Sequence, residues 1–143
     1  MNEQTPNPDL DALVGAWTTE ATHPSVPDTV VKGSASFEWL EGERFLILRA
    51  RNDHPDFPDS ISILGEFEGR LEMHYYDSRG VFRVYEMRFA DGTWTMERDA
   101  PGFAQRFEGT LTEDGSELAG LWHLSEDGST WAEDLAITYR RVG

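Results

Sequence analysis

Seven times along this chain a glycine follows a residue at which a hairpin can reverse: Glu41-Gly42, Glu68-Gly69, Arg79-Gly80, Asp91-Gly92, Pro101-Gly102, Asp114-Gly115 and Asp127-Gly128. From Gly69 onward the pairs recur every 10 to 13 residues, the length of one strand and one tight turn. That spacing reads as a continuous antiparallel meander. A sheet that only runs up and down must hide its edges, and closing into a barrel removes them altogether. The expectation is an all-β, up-and-down antiparallel barrel of about ten strands. Residues 29–39 and 44–52 supply an earlier hairpin around Glu41-Gly42, a first strand starts near residue 14, and Pro8 to Leu13 form a short helical turn. No repeat or linker divides the chain, so residues 1–143 are one domain, with residues 1–8 expected to be flexible.

Charge and cysteine content exclude several functions. The 27 acidic residues against 12 basic ones give a formal charge of -15, which repels nucleic acid and anionic lipid surfaces alike. No cysteine is present, so a disulfide framework, a thiolate metal site and a thiol nucleophile are all absent. The start Met1-Asn2-Glu3-Gln4-Thr5-Pro6 lacks the basic and apolar runs of a secretory signal, and no segment has the length of a membrane span. A cytoplasmic protein with no membrane partner is expected.

Side chains alternate across a strand, so hairpin loops of even length carry one face from strand to strand. Through the turns at Asp91-Gly92, Pro101-Gly102, Asp114-Gly115 and Asp127-Gly128, one face collects Tyr85, Met87, Phe89, Trp94, Met96, Arg98, Gln105, Phe107, Leu118, Trp122, Glu133, Ile137 and Tyr139. The other face is rich in Thr, Glu and Arg. The first set is the inside. Treating Arg79-Gly80 as a two-residue turn adds His74, Tyr76 and Arg83 to the inside. It leaves Leu64, Leu71, Met73, Tyr75, Phe82 and Val84 outside, too apolar for plain solvent. This outer set predicts either a homodimer contact or a displaced register. Whether Arg49 and Arg51, or Leu46, Leu48 and Ala50, face inward stays open.

The inward residues sort by height. One end holds only apolar and aromatic side chains, whereas His74, Tyr76, Arg83, Tyr85, Arg98, Gln105, Trp122 and Glu133 gather at the other. An apolar depth beneath a polar mouth suits a small hydrophobic or amphipathic molecule whose polar or anionic head meets the placed polar groups. An enzyme using the same lumen for acid-base chemistry is the alternative, with His74 or Glu133 as base and Tyr76 or Arg98 as partner. His74 equally suits a satisfied interior histidine, and Arg98 and Glu133 an internal ion pair. His23, His54, Asp53 and Asp56 match no metal-ligand spacing, so neither a metal nor another cofactor is expected.

Gly15-Ala16-Trp17 at the start of the first strand, with Arg140-Arg141 at the end of the last, resembles the signature of the calycin superfamily, the lipocalins and their relatives. The resemblance implies that Trp17 closes the floor of the barrel beside Gly15 and that Arg141 packs across it. The runs Asp53 to Asp59, Met73 to Gly80 and Arg98 to Phe103 are similar to those of an uncharacterised bacterial lipocalin-like family, which implies no particular activity. Haem binding of the nitrobindin kind would need a late-strand histidine, and none occurs after His123.

Overall fold

The structure, a computed structural model, describes residues 8–142. After a 3-10 turn (Pro8–Leu13) come ten strands: β1 (Gly15–Thr22), β2 (Val31–Trp39), β3 (Phe45–Asn52), β4 (Ser60–Phe67), β5 (Arg70–Asp77), β6 (Phe82–Ala90), β7 (Thr93–Arg98), β8 (Ala104–Leu111), β9 (Glu117–Ser125) and β10 (Ala132–Arg141). Every strand pairs with its sequence neighbours, and β1 pairs with β10 to close the barrel. This is the expected all-β meander. The flexible arm expected over residues 1–8 lies, apart from Pro8, outside the described residues. Among those described, no helix is long and apolar enough to cross a membrane.

All seven turn glycines sit at φ between 74° and 95°, a region that carries no steric penalty only for glycine. At Glu68-Gly69 and Asp91-Gly92 the preceding residue is also at positive φ, 52° and 54°. These are two-residue hairpins whose twist matches that of the strands, and they join Phe67 to Arg70 and Ala90 to Thr93. The register from β6 to β9 follows as expected, with Phe89 opposite Trp94, Met96 opposite Phe107, Arg98 opposite Gln105 and Phe107 opposite Trp122.

Two local irregularities overturn parts of the expected facing. At Arg79-Gly80 the loop has three residues, closed by the Asp77 N–H donating to the Val81 carbonyl at 3.0 Å. Tyr76 therefore stands opposite Phe82, and Tyr75 opposite Arg83. An odd loop inverts parity. Met73, Tyr75 and Leu71 accordingly share the inward face with Arg83 and Tyr85, and Leu64 is fully buried. His74 and Tyr76, expected inside, stand outside in register with Val84 and Phe82. The second irregularity is a bulge between Glu133 and Ala136 in β10. Glu133, expected inside, is exposed opposite His123, while Asp134 turns into the lumen. Ile137 and Tyr139 keep their expected positions beside Gly120 and Leu118. In β3, Leu46 and Leu48 are buried and Ala50 lines the lumen, which puts Arg49 and Arg51 outside.

The core fills the lower part of the barrel. Phe37, Leu46, Leu64, Trp94 and Leu118 pack with Leu10 and Leu13 of the 3-10 turn, each at most 2% exposed. Trp17, also buried, donates its indole N–H to the Leu13 carbonyl at 2.9 Å. The Arg141 guanidinium lies 4.1 Å from the centre of the Trp17 ring and donates to the carbonyls of Ala12, Val14 and Gly115. One cation thus ties together the 3-10 turn, the start of β1, the β8–β9 turn and the end of β10. Gly15 has φ 133°, and a Cβ there would fall 2.7 Å from Arg141 Nη1, so the first position of Gly-x-Trp has room for no side chain. Gly15, Trp17 and Arg141 meet at the floor.

Candidate functional site

Above this floor the barrel encloses a lumen of about 610 Å³, within the ordinary range for a small-molecule site. Its lower wall is Trp94, Met96, Phe107, Ile137 and Tyr139. Trp94 is held edge-on by Phe37 and Phe107, and its indole N–H has no hydrogen-bond acceptor among the described residues. Burial pushes the Tyr139 hydroxyl up to about 12, so it stays neutral across the physiological range. The depth therefore offers no charge. A shallower depression of about 460 Å³ lies outside the wall between Lys32, Arg51, Asp53 and Asp59. It lacks an apolar interior.

At the upper end the wall continues into loops through Ser25, Val26, Phe57, Arg79 and Phe103, and there the lumen opens. Hydrogen bonds within and between the loops anchor them. The 53–59 loop is held by Asn52 Nδ2 donating to the Pro58 carbonyl at 2.8 Å, and by Ser78 N–H donating to the Asp59 carbonyl at 2.8 Å. The β5–β6 turn is organised by Asp77, whose side chain has no solvent exposure. It accepts from Tyr75 Oη at 2.7 Å, from Arg79 Nη2 at 2.7 Å, and from the backbone N–H groups of Arg79 and Val81. Burial acts to raise the Asp77 carboxyl, but these four donors outweigh it and hold it well below the usual carboxylate range. Tyr75 is pushed up by its own burial and by the carboxylate it serves.

Beside this cluster stand the groups most suited to meet a polar ligand. Tyr85, 3% exposed, donates to Gln105 Oε1 at 3.1 Å, and the Gln105 amide nitrogen has no partner among the described residues. Burial raises the Tyr85 hydroxyl, and the nearby Arg83 and Arg98 guanidiniums partly offset it. Arg83 lies 4.9 Å over the Phe103 ring and has no carboxylate within ion-pair distance among the described residues. Trp122 packs on Tyr85 and Phe107 at 5.2 and 5.0 Å. Arg98 stands at the top of the inward face, but its Nη1 donates to the Phe103 carbonyl at 3.1 Å and steadies the β7–β8 loop. Of the residues expected at the mouth, Arg83, Tyr85, Gln105 and Trp122 line the lumen. His74, Tyr76, Arg98 and Glu133 do not.

Across the mouth lies a pair that sequence reasoning missed. His23 Nε2 is 2.6 Å from Asp134 Oδ1, and His23 Nδ1 is 2.8 Å from Ser25 Oγ and accepts the Ser25 N–H at 3.1 Å. Since Nδ1 accepts from the backbone, the neutral ring carries its proton on Nε2 and donates it to Asp134. No local motif announces the pair, because the two residues are 111 positions apart and Asp134 faces inward only through the bulge. The β5–β6 loop did leave a signal. Asp77 begins the turn and accepts from the N–H two residues on, and the glycine comes third in the loop, the pattern of a three-residue hairpin.

Floor, closed wall and one-ended lumen together define a closed, ten-stranded up-and-down barrel with a mouth at one end. No family model and no curated protein matches the chain. Among solved structures it is similar to Rv2717c from M. tuberculosis, with 16% identity, a TM-score of 0.67, and coverage of 95% of this chain and 98% of that one. It is also similar to the S-type phycobiliprotein lyase CPES from Guillardia theta, with 10% identity, a TM-score of 0.57, and coverage of 98% and 94%. At such identities the likeness is one of fold.

Proposed function

We propose that this chain binds a small amphipathic molecule, an apolar body lying against Trp94, Met96 and Phe107 and an anionic head meeting Arg83. The observation that carries the reading is Arg83 itself. On a chain of formal charge -15, a guanidinium without a carboxylate partner among the described residues stands in the mouth of an apolar lumen, 4.9 Å over the Phe103 ring. A half-buried cation left unneutralised is costly unless something else meets it, and an anionic ligand would do so. Tyr85 on the same strand, and Gln105 two strands further around the wall, extend the polar contact.

A matched pair of fluorescent probes tests this: anilinonaphthalene sulfonate, which is anionic, and N-phenylnaphthylamine, its neutral counterpart. Arg83→Met is expected to weaken the anionic probe by roughly 1.5–3 kcal/mol, tenfold or more, the worth of a hydrogen bond to a charged group. Binding of the neutral probe should stay within about twofold. Equal losses for both probes, or no binding of either to the wild type, would refute the reading.

One observation favours a second reading, acid-base catalysis in the same lumen. His74, Tyr76 and Glu133 lie outside, but His23 is oriented by Asp134 and its Nδ1 lone pair lies 2.8 Å from Ser25 Oγ, so the proton it is placed to take at the mouth is that of the Ser25 hydroxyl. Asp134→Asn would abolish turnover of a bound substrate under this reading and leave probe binding intact under the first.

A further inference from the structure

We propose that the outer face of β3 to β6 is the contact of a weak homodimer, two copies meeting about a twofold axis that runs diagonally across the strands. This face is apolar where the wall of a barrel in water should not be. Its rows are fixed by register. Nearest the mouth lie Arg49, Ile61, Tyr76 and Phe82; in the middle Ile47, Ile63, His74 and Val84; towards the floor Phe45, Gly65, Glu72 and Glu86. Ile61, Tyr76 and Phe82 are 45–54% exposed. Their rings are already ordered: Phe67 stacks on His74 at 3.7 Å and Tyr76 on Phe82 at 5.1 Å, while His74 Nε2 is held 2.8 Å from Glu72 Oε1. Side chains fixed before association lose little entropy on binding.

Charge placement selects a second copy as the occupant. Along β3 the outer positions end in Arg49 and Arg51, and the row towards the floor ends in Glu72, Glu86 and Glu97. At strand and residue spacing the twelve-residue grid is close to square, about 14 Å on a side. A twofold axis along the diagonal from Phe45 to Phe82 lays the β3 edge of one copy on the acidic row of the other. Arg49 then meets Glu86 and Arg51 meets Glu97, each contact occurring twice, as an isologous interface requires. Arg49 also pairs with Glu38 at 3.1 Å within the chain, but both side chains are more than half exposed, so that pair yields readily. With Arg51 and Glu97 the footprint is roughly 400 Å² per copy. That is small beside the ~800 Å² of a standard interface and sets the expectation of a concentration-dependent dimer.

Sedimentation velocity on the full chain at physiological ionic strength, where the repulsion between two copies of charge -15 is screened, tests the axis as well as the association. The wild type should pass from monomer to dimer below about 200 µM. Glu86→Arg and Arg49→Glu, both at exposed positions, should each weaken self-association at least about tenfold, because each sets like charges face to face twice. An equimolar mixture of the two folded variants should recover a heterodimer, since both corner contacts are then complementary. Monomeric wild type at about 200 µM would overturn the proposal and leave the face to a different protein. Single variants that dimerise like the wild type, or a mixture that stays monomeric while circular dichroism shows both partners folded, would overturn it too.

Discussion

Replacing Trp17 by alanine tests the floor on which the barrel closes. The side chain is 1% exposed, so nearly all its surface is withdrawn from water. A tryptophan buries roughly 150–250 Å², worth about 4–6 kcal/mol at 25 cal/mol per Å². Deleting it also strands the Leu13 carbonyl, which accepts the indole N–H, and removes the ring beneath the Arg141 guanidinium. Partial collapse of the cavity works the other way and brings the expected loss to about 3–5 kcal/mol. Domains of this kind have only about 5–15 kcal/mol in all, and the alanine variant will sit near the edge of folding. Trp17→Phe keeps most of the apolar area and loses the N–H, with an expected cost of about 1–2 kcal/mol. Urea unfolding followed by far-ultraviolet circular dichroism measures both. A loss below about 1 kcal/mol for Trp17→Ala would mean the floor does not depend on this residue, and the reasoning would fail.

Acid should expose the role of Asp77. Its folded carboxyl lies below the unfolded value, so its contribution is full above the unfolded range near pH 4 and is lost as the pH falls below it. Asp77→Asn should therefore flatten the decline in unfolding midpoint between about pH 5 and pH 2, and an unchanged slope would contradict the assignment. Gly120→Ala tests core packing: a Cβ there would lie 2.4 Å from the Phe107 ring, so a loss of about 1–3 kcal/mol is expected. A neutral result by thermal unfolding would show that Phe107 can move aside.

The architecture was legible in local sequence alone. Glycine-bearing turns at the spacing of one strand specify hairpins locally, and a meander of such hairpins satisfies its edges by closing, as β1 and β10 do. Local sequence also set the inside of β6 to β9, because loops of even length propagate parity and no bulge interrupts those strands. Arg83, Tyr85, Gln105 and Trp122 were legible on that account. Facing beyond those strands depended on single residues. The Asp77 turn inserts one residue and exchanges His74 and Tyr76 for Met73 and Tyr75; the β10 bulge exchanges Glu133 for Asp134. In a period of two, one residue reverses every position that follows, so small errors in loop length become complete errors in facing. The His23–Asp134 pair lay beyond local reading altogether. It joins the first loop to the last strand, and only closure of the barrel brings those segments together.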